Sequence, residues 1–180
     1  DIGRWALRQV CEQSLLFADE AALPIAINVS IRQWLAADFV DQVDAILALT
    51  GADPSLLEFE LTEVLIGRDL DRSRERMAQL SELGVRFVLD DYGTGCLSLP
   101  LLHALPLDRL KIDVSLVDGL EARSSAYTII KSIIAMARPL GLQVLAEGVA
   151  TPEQVQILAA LGCDQCQGHC FGEPALLTQY

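Results

Sequence analysis

No apolar run in the 180-residue chain approaches the ~20 residues needed to cross a bilayer. No basic-then-apolar leader opens it either. The expectation is a soluble, cytoplasmic chain without a membrane segment, which leaves room for a parent protein that is tethered. Bases are scarce: 13 Lys and Arg face 25 Asp and Glu, for a net charge of -12. That balance excludes a basic footprint for polymeric nucleic acid. An anionic substrate would need metal ions to screen so many carboxylates. Cysteines number five, an odd count that argues for a reducing compartment over a disulfide framework. Three of them cluster with a histidine in Cys163-Asp164-Gln165-Cys166-Gln167-Gly168-His169-Cys170. Their spacing misses a haem attachment motif. A structural zinc site would need a second ligand pair from a distance, and the other histidine is His103. Apolar strand packing is the plainer reading of this cluster, with zinc as the alternative.

What the chain does have is apolar mass, 52% hydrophobic with positive mean hydropathy, enough to bury one core. Its pattern alternates helix and strand. An amphipathic helix is expected over 3–18, with Trp5, Leu7, Val10, Leu15 and Leu16 on or near one face. A strand at 25–29 precedes Ser30, an N-cap for one helix holding Trp34, Leu35, Phe39, Val43 and Ile46. Gly51 and Pro54 break that helix before a strand at 57–62. A helix over 70–83, a strand at 85–90, a short helix at 98–104 and a strand at 109–113 follow. The remainder reads as a long helix at 124–139, a strand at 142–147, a helix from Pro152 to Leu161 and a last strand near 163–167. Thr151 before Pro152 is a strong helix start.

The strand ends carry the chemistry. In Leu89-Asp90-Asp91-Tyr92-Gly93-Thr94-Gly95 two adjacent carboxylates close an apolar strand. Neighbouring strand residues point to opposite faces, so both acids serve one site only if the strand stops there, turned by Gly93 and Gly95. Like charges held together call for a cation between them, which favours a divalent metal site over a solvated turn with incidental acids. Other strands end comparably: at Asn28, at Glu60 to Glu63, at Lys111 and Asp113, and at Glu147. Phe59 and Leu61 share one face and Glu58 and Glu60 the other, while Leu110 and Ile112 oppose Arg109, Lys111 and Asp113.

Six strands alternating with helices indicate an α/β fold with a parallel sheet. An open doubly wound sheet gathers its ligand at one switch point. A TIM-like (β/α)8 barrel brings every strand C-terminus to one mouth, and polar groups close nearly every strand here. The barrel is favoured, incomplete, with about six βα units and the first strands absent.

On these residues the chain resembles the EAL domain family, bacterial phosphodiesterases of cyclic di-GMP. The motifs run along the whole sequence: Asn28-Val29-Ser30 with Arg32-Gln33, Glu58-Phe59-Glu60-Leu61-Thr62-Glu63, Asp90-Asp91-Tyr92-Gly93-Thr94-Gly95, Leu107 to Asp113, Ala146-Glu147-Gly148-Val149, and Gln167-Gly168 with Phe171 and Pro174. The resemblance implies a two-metal site of Mg²⁺ or Mn²⁺ held by Asn28, Glu60, Asp90, Asp91 and Glu147. It implies that Lys111 orients the attacking water and that Glu63 braces the loop after Asp91. Asp113 is a further residue of the catalytic set with Lys111, Glu147 and Glu63, and Gln167 and Arg32 are substrate-binding candidates. From the residues alone, Lys111 has an alternative as a buried partner of Asp113 or Asp90, and Glu63 as a surface acid. The implied reaction is hydrolysis of cyclic di-GMP to linear pGpG. The alternatives are a non-catalytic cyclic di-GMP-binding sensor, or an interaction domain whose acids merely stabilise loops. A homodimer through the 98–104 helix, with Leu97, Leu99, Leu101 and Leu102, and further signalling domains in the parent protein are also expected.

The sequence departs from the family pattern at several points. The Glu-Ala-Leu segment, with its metal-binding glutamate and following arginine, is not in these residues. Ala150 stands where the family usually has an acid, and Cys96-Leu97-Ser98 replaces the usual Tyr-Ser-Ser. The expectation is one EAL-type domain over 1–180, truncated at its N-terminus, with turnover by this chain alone impaired.

Overall fold

The structure is a computed structural model whose described residues are 2–15, 24–93 and 97–174. Six strands, β1 (Ile25–Asn28), β2 (Leu57–Thr62), β3 (Arg86–Tyr92), β4 (Arg109–Ile112), β5 (Gln143–Ala146) and β6 (Gln165–Cys166), follow one another in the sheet in sequence order. A doubly wound sheet reverses its strand order at the switch point; a barrel does not. The monotonic order therefore places the fold in the TIM-like (β/α) class, in incomplete form. Pairing is parallel between β1 and β2, β4 and β5, and β5 and β6. Chain contacts divide the molecule into two compact units, one of residues 1–89 with 97–108, the other of 90–96 with 109–180.

In the first unit, α1 (Ile2–Ser14) buries Leu7, Cys11 and Ser14. Of the expected apolar face Leu7 is buried, whereas Trp5 and Leu15 stay 63% and 46% exposed. Leu16 lies outside the described residues. Ser30 caps α2 (Ile31–Leu35) through a capping box with Gln33. The single helix expected after it is two, because Ala36 takes an extended backbone before α3 (Phe39–Thr50) begins. Gly51 ends α3 in the left-handed conformation. A short α4 (Glu63–Gly67), capped by Thr62, was not anticipated, and α5 (Leu70–Glu82) follows.

The core of this unit is aromatic. Trp34 meets Phe39 and Phe87 edge-on at 5.8 and 6.3 Å between ring centroids. Phe59 sits 5.8 Å from Phe39 and 6.2 Å from Phe87. The Arg76 guanidinium lies 5.6 Å from the Trp34 ring and donates to the Ala36 carbonyl at 2.8 Å. The Trp34 indole N–H donates to the Ser73 hydroxyl at 3.0 Å, and that hydroxyl donates to the Ile66 carbonyl at 3.2 Å. Ser73 thus links α2 to the last turns of α4. Ser73→Ala strands the buried indole N–H, and the unfolding free energy should fall by about 1–3 kcal/mol in denaturant titration. An unchanged midpoint would show the relay to be energetically idle.

In the second unit, α7 (Val114–Asp118) and α8 (Ser125–Ala137) pack on each other, and α8 packs on β5. Leu110, Ile112, Val144, Ala146, Ile130, Ile134 and Ala137 are buried between these elements. α9 (Pro152–Leu161) has the bounds read from sequence, with Thr151 as N-cap and left-handed Gly162 at its end. One device recurs in the two units. The Asp108 carboxylate accepts from the Phe87 N–H at 2.8 Å, and Asp164 accepts from the Val144 N–H at 2.7 Å. Each aspartate's own N–H returns to the carbonyl of the same residue. An acid just before β4 or β6 thereby sets the register of that strand's entry. α6 (Leu99–Ala104) buries Leu102 and leaves Leu99 56% exposed. Among the described residues, no helix is long and apolar enough to cross a membrane.

Candidate metal and catalytic site

Parallel register places Asn28 beside Glu60 at the C-terminal ends of β1 and β2, within the first unit. Glu60 is half-buried and Asn28 exposed, while Glu58, two residues earlier on the same face, is only 2% exposed. Glu63 opens α4 as a buried residue, and its Oε2 accepts the Leu97 N–H at 2.7 Å. It is not the surface acid that the residues alone allowed. Arg32 is exposed on α2.

The second unit holds the acidic cluster. Asp90, Asp91 and Glu147 each offer a carboxylate oxygen, and these oxygens lie within 4.8 Å of one another. The strand does not stop between the two aspartates, as the sequence had suggested; β3 continues through Tyr92. Asp91 instead takes a left-handed backbone, φ 54°. That conformation is costly for a non-glycine residue, and it cancels the strand alternation that would send its carboxylate to the far face. The Asp91 N–H is held by Asp90 Oδ1 at 3.1 Å. Gly93 follows at φ 106°, where a Cβ would lie 2.9 Å from Leu116. Gly95 lies outside the described residues.

Lys111, 6% exposed, reaches the cluster from β4. Its Nζ lies 3.0 Å from Asp90 Oδ1 and 2.8 Å from Glu147 Oε1. Burial, then the charges of Asp90 and Asp113, push the Asp91 carboxyl above the usual carboxylate range, with Lys111 pulling it back. Asp113 is not the last residue of β4 but the N-cap of α7, accepting from the Ser115 N–H at 2.9 Å and from the Ser115 hydroxyl. Those hydrogen bonds hold its carboxyl below the usual range. The sequence missed this capping role, although Asp-x-Ser before an apolar pair is a legible Asx-turn signal. Gln167 lines a cleft of about 780 Å³ together with Glu147, His169, Phe171 and Glu173.

Oxygen donors alone, within 4.8 Å of one another, suit a hard divalent cation such as Mg²⁺ or Mn²⁺. The residues present fit such an ion.

The cysteines show a different environment. The Cys163 thiol hydrogen-bonds to the Val144 and Gln165 carbonyls at 3.4 and 3.2 Å. Burial pushes its pKa up to about 12, and burial also raises Cys166. Thiolate is the reactive form. At pH 8, iodoacetamide should therefore modify Cys163 about a thousandfold more slowly in the folded protein than in denaturant. Mass spectrometry of timed samples would read this, and equal rates would contradict the buried thiol.

Sequential parallel strands with acids and a lysine at their C-terminal ends define a barrel-type domain with an acidic, oxygen-rich site. The EAL domain model matches residues 1–174, and the chain belongs to that family. The bifunctional diguanylate cyclase/cyclic di-GMP phosphodiesterase MucR of Pseudomonas aeruginosa is 40% identical over 175 residues, covering 96% of this chain and 26% of MucR. The cyclic di-GMP phosphodiesterase NbdA of the same organism is 38% identical over 176 residues, covering 97% of this chain and 22% of NbdA. The solved PaMucR phosphodiesterase–c-di-GMP complex matches with a TM-score of 0.94 at 39% identity, covering 99% of this chain and 78% of that one. The chain spans about a quarter of the length of the curated relatives it matches.

Proposed function

We propose that this domain hydrolyses one phosphodiester of cyclic di-GMP to give linear pGpG in a divalent-metal-dependent reaction. The observation that carries this reading is the Asp90, Asp91 and Glu147 cluster, with the Lys111 ammonium held between two of its members. The relatives named as cyclic di-GMP phosphodiesterases support the substrate.

Asp90, Asp91 and Glu147 are the ligands in this reading, and Asn28 and Glu60 keep the ligand role that family resemblance gives them. When bound, Mg²⁺ or Mn²⁺ supplies Lewis acidity toward the phosphate and lowers the pKa of a coordinated water. Lys111 orients the attacking water, and its charge offsets the anion that develops on phosphorus oxygens. Glu63 fixes the segment at Leu97, Asp113 restrains Asp91 from α7, and Gln167 and Arg32 take substrate. The exposed Leu99 of α6 is the surface on which a homodimer would form.

Chromatography of cyclic di-GMP incubated with the intact protein and Mn²⁺ should show pGpG, and EDTA should stop its appearance. Calorimetry separates the rivals. Nucleotide binding without product would make the domain a sensor, and no binding of metal or nucleotide would leave an interaction domain.

A further inference from the structure

The loop that carries Glu147 is tied to the element that follows Lys111 by one buried side chain. Gln154, 8% exposed on α9, accepts two backbone N–H groups on its Oε1, from Ala150 at 2.8 Å and Thr151 at 3.1 Å. Its Nε2 donates to the Val117 carbonyl of α7 at 2.9 Å. α7 begins directly after Asp113, the residue that restrains Asp91. The other side of the same loop is fixed by the Glu147 N–H to the Ile112 carbonyl at 3.2 Å and the Val149 N–H to the Gln167 carbonyl at 3.0 Å. Gly148 makes the turn between them at φ 70°, packed so closely that a Cβ would meet Val114 of α7 at 2.2 Å.

A primary amide serves all three groups from two separate atoms, its oxygen accepting both N–H groups and its nitrogen donating to the carbonyl. A capping box needs the acceptor half alone. The donor half, aimed 37 residues back along the chain, is surplus to helix capping. It instead ties the loop after Glu147 to α7, and Glu147 itself lies 2.8 Å from Lys111.

We propose that Gln154 is a positioning residue for the site, clamping the Glu147 loop to α7 so that Glu147, Lys111 and the Asp91–Asp113 pair stay in register. This rests on the reading of Glu147 as a metal ligand. Outer-shell partners of metal ligands typically govern affinity by about 10–100-fold. In the intact protein, Mn²⁺ titration by calorimetry should give a Kd raised by about tenfold or more in Gln154→Leu and in Gln154→Glu. The glutamate variant retains the cap acceptor and turns a carboxylate on the Val117 carbonyl, which keeps the test decisive if the leucine variant fails to fold. Thr151→Ala, which removes only the α9 cap, should leave Kd within about twofold. In hydrogen exchange, the Glu147 and Val149 amides should lose protection in both Gln154 variants while the α8 amides keep theirs. Wild-type Kd in both variants, with Mn²⁺ still bound, would overturn the proposal and leave the metal-site reading standing. If the unmutated protein takes up no Mn²⁺, the metal-site reading falls, and the exchange data alone decide the clamp: unaltered protection at Glu147 ends it.

Discussion

Asp90→Asn should cut cyclic di-GMP turnover by about a thousandfold or more and weaken Mn²⁺ binding in calorimetry. The substitution keeps the shape of the side chain, and its amide oxygen retains the 3.1 Å hydrogen bond from the Asp91 N–H. What disappears is the negative charge, and with it both the donor strength toward a divalent ion and the 3.0 Å ion pair with Lys111. Folding should suffer little by comparison, since one carboxylate fewer in a cluster within 4.8 Å relieves like-charge repulsion. A variant with native-like denaturation and no product is the expected result. Near-normal hydrolysis by Asp90→Asn would remove Asp90 from the ligand set.

The fold was more legible in the sequence than the mechanics of the site. Ser30, Gly51 and Thr151 marked helix ends correctly because caps are local chemistry, read from one or two residues. The strands were legible from apolar runs and alternation. The short helices α4 and α7 were not, since five residues give no periodicity to detect. On α1 the apolar pattern marked Leu7, which is buried, but also Trp5, which is exposed, because an aromatic residue reads as core by composition whichever way its helix is turned. At the site, the adjacency of Asp90 and Asp91 pointed to a shared role, but alternation forbade it unless the strand ended. The solution is backbone strain at Asp91, which no sequence pattern encodes. Gln154 was passed over for a related reason: its value lies in a hydrogen bond to Val117, a partner set by tertiary packing alone.

Lys111→Met separates a catalytic lysine from one that merely neutralises acids. With side chains of Lys111 and Asp90 only 8% and 12% exposed, removing the ammonium leaves carboxylates facing one another with little water to screen them. Breaking such a pair costs about 3–5 kcal/mol, so unfolding without metal should come markedly earlier than in the unmutated protein. A cation bound at a hundred times its Kd returns about 2.7 kcal/mol, enough to restore most of that loss. Mn²⁺ should therefore raise the melting temperature of Lys111→Met more than that of the parent protein. If Lys111 orients the water as proposed, turnover with Mn²⁺ present should still fall by about 10²–10⁴-fold, because the metal would replace the charge but not the directed N–H. Recovered stability together with recovered hydrolysis would assign Lys111 to charge balance alone. Recovered stability without hydrolysis places it in the reaction.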